Sequence, residues 1–295
     1  MVITPDIDIL KYNNIRGVKY FELTAEEVKQ EILPGLFIKA WGYNGSTPGP
    51  TILVNHGDYI NIRVYNKLSE PTSVHWHGLD VPNMMDGVPD IEPSPKIEPG
   101  YFFDYRFQIK NPPGTHMYHS HFQSHKQIMM GLMGGLIIEQ PYSKMDKDFF
   151  LMLQEFKVKD IPPGTVKAGE YDLDSSSHEF NFFAINGKCF PMTKALPVKS
   201  GEQIRVRFGN VMMDAHPMHI HGHQFQVTAS DGNEFNAYLN VKKNTINVAS
   251  GETYDVEFNA NNKGNWPFHC HIPQHMTNNM TDSIGGMFTT VHYDS

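Results

Sequence analysis

Cysteine is nearly absent: the chain has two, Cys189 and Cys270, among 295 residues. A disulfide framework therefore does not hold it together. With Cys270 committed to the site argued below, Cys189 reads as a free, buried thiol. Long apolar runs are missing too. None approaches the ~18 residues of a membrane span, so a bilayer is not expected as a partner. Met1-Val2-Ile3-Thr4-Pro5-Asp6 lacks the basic and apolar regions of an export leader. The expected location is the cytoplasm as written, or outside it if a leader was removed before this numbering. Positive charge is short as well. With 24 Lys+Arg against 32 Asp+Glu the net charge is -8, which opposes a nucleic-acid partner, since such a partner wants a basic face.

What remains is an ordinary globular composition, 40% hydrophobic and 19% charged, with two unusual counts: 16 His and 16 Met. The length suits two domains, each able to bury a core. One stretch, residues 24–32 (TAEEVKQEI), reads as a helical turn or two capped by Thr24. From Thr51 onward short segments rich in Val, Ile, Tyr and Phe alternate with Gly, Pro and Asn, the pattern of an all-β sandwich.

The chain repeats itself. Residues 57–66 (GDYINIRVYN) match residues 201–210 (GEQIRVRFGN), 144 positions on, and His75-Trp76-His77-Gly78 matches His219-Ile220-His221-Gly222 at the same spacing. Residues 100–105 match 251–256, and His119-Ser120-His121 matches His269-Cys270-His271 150 positions on. The matches keep their order, so the chain is two copies of one fold. The boundary falls within 140–148 and divides it into residues 1–143 and 144–295.

Four His-X-His pairs stand at symmetric places in this repeat: 75/77, 119/121, 219/221 and 269/271. In strand geometry each pair projects two imidazoles to one face. Eight imidazoles are too many for one metal. Shared as two, three and three, they suit a cluster of three ions with open positions for a small ligand. Cys270 would point away from His269 and His271, back to back with them. His275 and Met280 follow in a loop that can curl back to it, and His216 is the candidate for a second histidine. A thiolate, two imidazoles and a weak axial thioether form the ligand set of an electron-transfer copper site, which selects copper over zinc for the whole arrangement. In copy one the thiolate position is Ser120 and the His216 position is Thr72. His125 and Met130 are then relics of a site without its soft ligand. His116 and His223 are expected to support ligands, and His56, His178 and His292 to lie on the surface.

With these motifs (HWHG at 75–78, HMYHSH at 116–121, HPMHIHGH at 216–223 and HCHIPQH at 269–275 with Met280), the chain resembles the multicopper oxidases, in particular their small two-domain, laccase-like members. The resemblance implies two tandem cupredoxin-like Greek-key β-sandwiches, with half of the cluster ligands in the first and the other half plus the blue copper in the second. It implies four coppers per chain. His216, Cys270, His275 and Met280 would hold type 1 copper, His75 and His219 type 2, and His77, His119, His121, His221, His269 and His271 the type 3 pair. Asp86 matches the family's proton-relaying acid, whereas Met276 and Thr277 stand where some members carry a second acid. The implied catalytic residues are thus Asp86 and Cys270, and the axial Met280 implies a moderate potential. Implied partners are dioxygen, a small reducing substrate such as a phenol, and two further copies in a homotrimer whose clusters lie at subunit interfaces.

Three rivals remain. Met84, Met85, Met129, Met130 and Met133 hint at an oxidase of Cu(I) or Fe(II). A copper nitrite reductase would carry its blue copper in the first copy, against Ser120. A non-enzymatic copper store or carrier would not need four His-X-His pairs. Cys270→Ser is expected to abolish the blue absorption of the copper-loaded protein together with its oxygen consumption, as read by visible and EPR spectra and an oxygen electrode.

Overall fold

The computed structural model describes residues 2–239 and 241–294. Among them no helix is long and apolar enough to cross a membrane. Each half is a two-sheet β-sandwich. In the first, Gly49–Val54, Met133–Ile138, Gly114–His119 and His75–His77 form a four-stranded sheet. It faces a sheet containing Leu36–Tyr43, Val18–Leu33, Tyr59–Asn66 and Phe102–Gln108. Trp76, Tyr105, Tyr118 and Ile62 fill the space between. In the second, Lys147–Phe156, Gln203–Asn210, Thr253–Asn259 and Phe225–Ser230 lie in one sheet. Phe288–Tyr293, Asn265–Cys270, His216–Ile220 and Thr245–Val248 lie in the other.

The repeat is reproduced at the level of register. Ile62 pairs with Tyr105 as Val206 pairs with Val256. His75 pairs with His119 as His219 pairs with His269. Two strands cross between halves: Val2–Ile3 lies parallel to Lys147–Phe156, and Gly169–Asp172 lies parallel to Leu36–Tyr43.

Residues 24–32 are not helical. They belong to the 16-residue strand Val18–Leu33, which pairs over residues 18–25 with Tyr59–Asn66 and over residues 25–33 with Leu36–Tyr43. The charged residues that favoured a helix are those left exposed or half-exposed, while Ala25, Val28 and Ile32 are buried. One partner strand pairs with each part of it, so every part gains a hydrogen-bonded ladder, and that tertiary gain overrides a weak local preference.

The halves meet across an apolar seam in which Met117, Met129 and Met133 contact Phe150, Met152 and Met212. Beside it lies a buried ionic knot. Arg207 donates to both carboxylate oxygens of Asp148 at 2.6 and 2.8 Å, to Asp255 at 2.9 Å and to Thr115 Oγ1 at 2.8 Å. Thr115, from the first half, donates in turn to Asp255 at 2.6 Å. Removing one partner of a buried pair strands the others without counter-charge. Arg207→Ala is therefore expected to destabilise the protein by roughly 3–5 kcal/mol, read as a shift in the urea unfolding midpoint.

Candidate metal centres

Strand alternation builds the first centre. Cys270 ends the strand Asn265–Cys270, and Met218, two residues into the strand His216–Ile220, is its register partner. His275 follows in a 3-10 turn, Pro273–Met276. His216 Nδ1 and His275 Nδ1 lie 3.2 Å apart, and Cys270 Sγ is 3.5 Å from the latter and 4.0 Å from the former. All three are buried. Burial pushes His216 down to about 3 and His275 to about 4, so both rings are neutral near pH 7. Burial also pushes the Cys270 thiol up to about 12. Two neutral imidazoles and a thiol converging in an apolar core are a donor set suited to a cation, which would deprotonate the sulfur and accept their lone pairs. The donor set fits a soft transition metal, and copper in particular.

Two neighbours hold the imidazoles. Phe183 stacks on His275 with centroids 3.8 Å apart. Glu155, fully buried, places Oε2 3.5 Å from His216 Nε2. Its carboxyl is pushed up to about 8, chiefly by burial. Asp214 Oδ2 lies 3.7 Å from His275 Nε2, on a side chain that is 45% exposed, so this edge of the centre meets solvent.

Met280 departs from the expectation. It is 63% exposed, and it follows Asn279 in a second consecutive left-handed conformation, φ 51° then 59°. The loop is pulled aside by its asparagines. Asn279 Nδ2 donates to the carbonyls of Pro162 and Thr165, and Asn278 bridges the Phe190 carbonyl and the Gly286 amide. The chain returns at Met287, which is wholly buried. The Cys270 amide donates to the Met287 carbonyl at 3.0 Å, and the Met287 amide to the His275 carbonyl at 2.8 Å. Spacing and the family resemblance both pointed to Met280. The signal for Met287 was the Gly286-Met287 step just before the last strand, Phe288–Tyr293.

The eight His-X-His imidazoles form two quartets, one per half. In the first, ring centroids of His75, His77, His119 and His121 lie 5.3–6.2 Å apart. In the second, those of His219, His221, His269 and His271 lie 4.9–5.9 Å apart. Each quartet is anchored in the same way. His119 Nδ1 meets the Ser120 carbonyl and His269 Nδ1 the Cys270 carbonyl, both at 2.9 Å. His75 Nδ1 faces the Asp86 carbonyl at 2.9 Å, and His219 Nδ1 the Asn244 carbonyl at 2.8 Å. A carbonyl only accepts, so these nitrogens carry the proton and Nε2 is left as the ligating atom. Burial pushes His119 down to about 3 and also lowers His77, His219 and His269. Among the described residues no ring of one quartet packs against the other. The second opens to a cleft of about 690 Å³ that is also lined by Gln226, Lys242, Asn244 and Glu257.

Asp86 also sets a carboxylate oxygen 3.4 Å from His75 Nδ1. His223 reaches the His221 carbonyl from beside the second quartet. His56, His178 and His292 are exposed, and Cys189 is a buried free thiol. In copy one the place of the thiol centre is filled. Ser120 Oγ and Thr72 Oγ1 donate to Gln127 Oε1 at 2.5 and 2.8 Å, and Gln127 Nε2 donates to Glu70 at 3.0 Å. Gln127 lies on the helix Ser124–Met130, which turns His125 out to solvent and packs Met130 against apolar core. The two relics are therefore not gathered at the old site.

Known proteins share this design. Two family models, both described as multicopper oxidase, match residues 24–143 and 160–284. A probable nitrite reductase–hydroxylamine oxidoreductase fusion protein of Kuenenia stuttgartiensis is 29% identical over 281 residues, which is 90% of this chain but 31% of that protein. The solved structure of the multicopper oxidase mgLAC is 32% identical with a TM-score of 0.81, and the match covers 93% of this chain and 86% of that one. The blue copper oxidase from Nitrosomonas europaea gives the same identity and TM-score, with coverages of 93% and 85%. Each half accordingly has the cupredoxin-like fold, and the cofactor that suits its donors is copper. By motif, register and overall structure, the chain belongs to the multicopper oxidases.

Proposed function

We propose that this protein is a laccase-like oxidase that couples one-electron oxidation of small organic donors, phenols above all, to reduction of dioxygen to water. The observation that carries the reading is the junction at residues 269–271. The buried thiol and two quartet imidazoles are consecutive in one chain, and His269 Nδ1 is tied to the Cys270 carbonyl at 2.9 Å. His216, Cys270 and His275 would hold type 1 copper, with buried Met287 rather than exposed Met280 as the thioether donor. His75 and His219 would hold type 2 copper, and His77, His119, His121, His221, His269 and His271 the type 3 pair. Bound there, copper would supply the one-electron redox chemistry that links donor oxidation to reduction of dioxygen.

The chain's own residues divide the remaining work. Asp214, half-open to solvent beside His275, marks where a donor approaches and can accept a phenolic proton there. Asp86 holds a carboxylate beside His75 and supplies protons on the oxygen side. The division at 143/144 assigns one quartet and no thiol centre to the first domain, and the other quartet with the thiol centre to the second. Two quartets that do not meet within one chain, one of them open to a cleft, support a ring of three chains. In that ring the first quartet of each subunit would face the second quartet of the next.

The five methionines that hinted at metal-ion oxidation are scattered. Met129 and Met133 are buried in the seam, Met85 and Met130 are half-buried against other cores, and Met84 alone is exposed. This weighs for an organic donor. The nitrite reductase named for the Kuenenia relative is disfavoured by Gln127, which fills the place where copy one would need its copper. The copper-loaded protein is expected to hold four coppers per chain, to sediment at three times the chain mass, and to consume oxygen faster with a methoxyphenol than with Cu(I). A monomer that reduces oxygen would rule out the shared cluster, and faster turnover of Cu(I) would reverse the donor assignment.

A further inference from the structure

Two charged segments flank the imidazole quartets, and beyond Asp86 the proposed function gives them no role. Residues 79–98 of copy one (LDVPNMMDGVPDIEPSPKIE) carry five acids against Lys96 alone. Residues 235–245 of copy two (FNAYLNVKKNT) carry Lys242 and Lys243 and no acid. The segments hold the same place in the repeat, after the first His-X-His pair of their copy and before the matched stretches that open at Gly100 and Gly251. Each holds a quartet ring by a backbone carbonyl. Asp86 faces His75 Nδ1 at 2.9 Å, and Asn244 faces His219 Nδ1 at 2.8 Å. Lys242 stands with His219 and His221 on the wall of the 690 Å³ cleft.

Apolar surface is bare on both segments. Tyr238 is 98% exposed, Leu239 69% and Ile91 87%. Single apolar side chains on a surface are ordinary, but Tyr238, Leu239 and Val241 crowd together in sequence beside Lys242, and clustered exposure marks a contact site. Charge is left over as well. Asp86 and Asp90 are engaged with His75 and Lys96. Among the described residues Asp80, Glu92, Lys242 and Lys243 enter no ion pair, and Glu92 Oε2 has no hydrogen-bond partner. The short strand Val241–Lys243 pairs with Phe225–Ser230. Lysines on an edge strand discourage foreign pairing, but that role leaves Tyr238 and Leu239 unexplained.

We propose that the basic segment of one subunit clasps the acidic segment of the next, the occupant of each surface being a second copy of this chain. Lys242 and Lys243 meet Asp80 and Glu92, while Tyr238 and Leu239 cover Ile91. The clasp rests on the shared cluster proposed above. There His75 of one chain and His219 of another serve one copper, so the loops that anchor those two rings must adjoin. Opposite charge on the two loops steers the copies head to tail and disfavours contact between like loops. Such a heterologous contact closes into a ring. It also covers His221 and His271, which the single chain leaves exposed.

The test is sedimentation of the copper-loaded full chain over a range of concentrations, with the variants K242E/K243E, D80K/E92K, all four substitutions together, and Y238S/L239S. Each charge reversal should raise the concentration at which the trimer half-dissociates about tenfold or more. The blue band of the thiol centre should persist and report that the variants are folded. Combining the reversals restores opposite charge and should return that concentration to within about threefold of wild type. Tyr238 and Leu239 face solvent in the single chain, so dissociation of Y238S/L239S reports lost contact between copies. Unchanged dissociation in either reversal, no recovery on combining them, or an intact trimer in Y238S/L239S overturns the clasp while the ring stands. A copper-loaded wild-type chain that sediments as a monomer overturns the ring and the clasp together.

Discussion

The alternation of side chains along the strand Asn265–Cys270 governs everything else in the molecule. Because neighbours on a strand point to opposite faces, His269 joins an imidazole quartet while Cys270 enters the apolar core of its half. Pairing with the strand His216–Ile220 then sets His219 across from His269, while the thiol meets His216 on the far side. A slip of one residue in that pairing would send the sulfur to the quartet and an imidazole into the core. Register is strongly specified where one face is buried, and here the core cluster that contains Phe268 and Cys270 enforces it.

The duplicated copy shows what the same register does without sulfur. His75 and His119 are paired as His219 and His269 are, so the quartet survives. The opposite face, with Thr72 and Ser120, has become a fully buried polar knot closed by the Gln127 amide. A carboxamide satisfies two hydroxyls and a carboxylate without any ion. Glu70 and Asp214 occupy the same place in the repeat, two residues before Thr72 and His216. Each still faces the centre of its copy, one toward an amide and the other toward an imidazole.

Much of this was legible in the sequence, since both devices leave periodic traces. The repeat implied the two-sandwich plan, and four His-X-His pairs at symmetric places marked the quartets. What stayed hidden depended on contacts between distant segments. Met280 had the right spacing from His275. Its loop, however, is tied by Asn278 and Asn279 to Pro162, Thr165 and Phe190, and those partners lie more than eighty residues away. Residues 24–32 carry helix-favouring charges, but two partner strands claim them. Glu155 left the faintest trace, an acid between Gln154 and Phe156 after an apolar stretch, and its surroundings are two amides and one imidazole brought from distant segments.

The exchanged edge strands carry a consequence for how this duplicated chain can be taken apart. Val2–Ile3 completes the border of a sheet in the second half, and Gly169–Asp172 completes one in the first. A cut between the halves would leave each fragment with a raw sheet margin of unpaired amides and carbonyls, the kind of surface that recruits foreign strands. The methionine-lined seam would be bared at the same stroke. Though descended from a repeat, neither half remains a self-sufficient module, and the ancestral unit cannot be recovered by trimming its descendant.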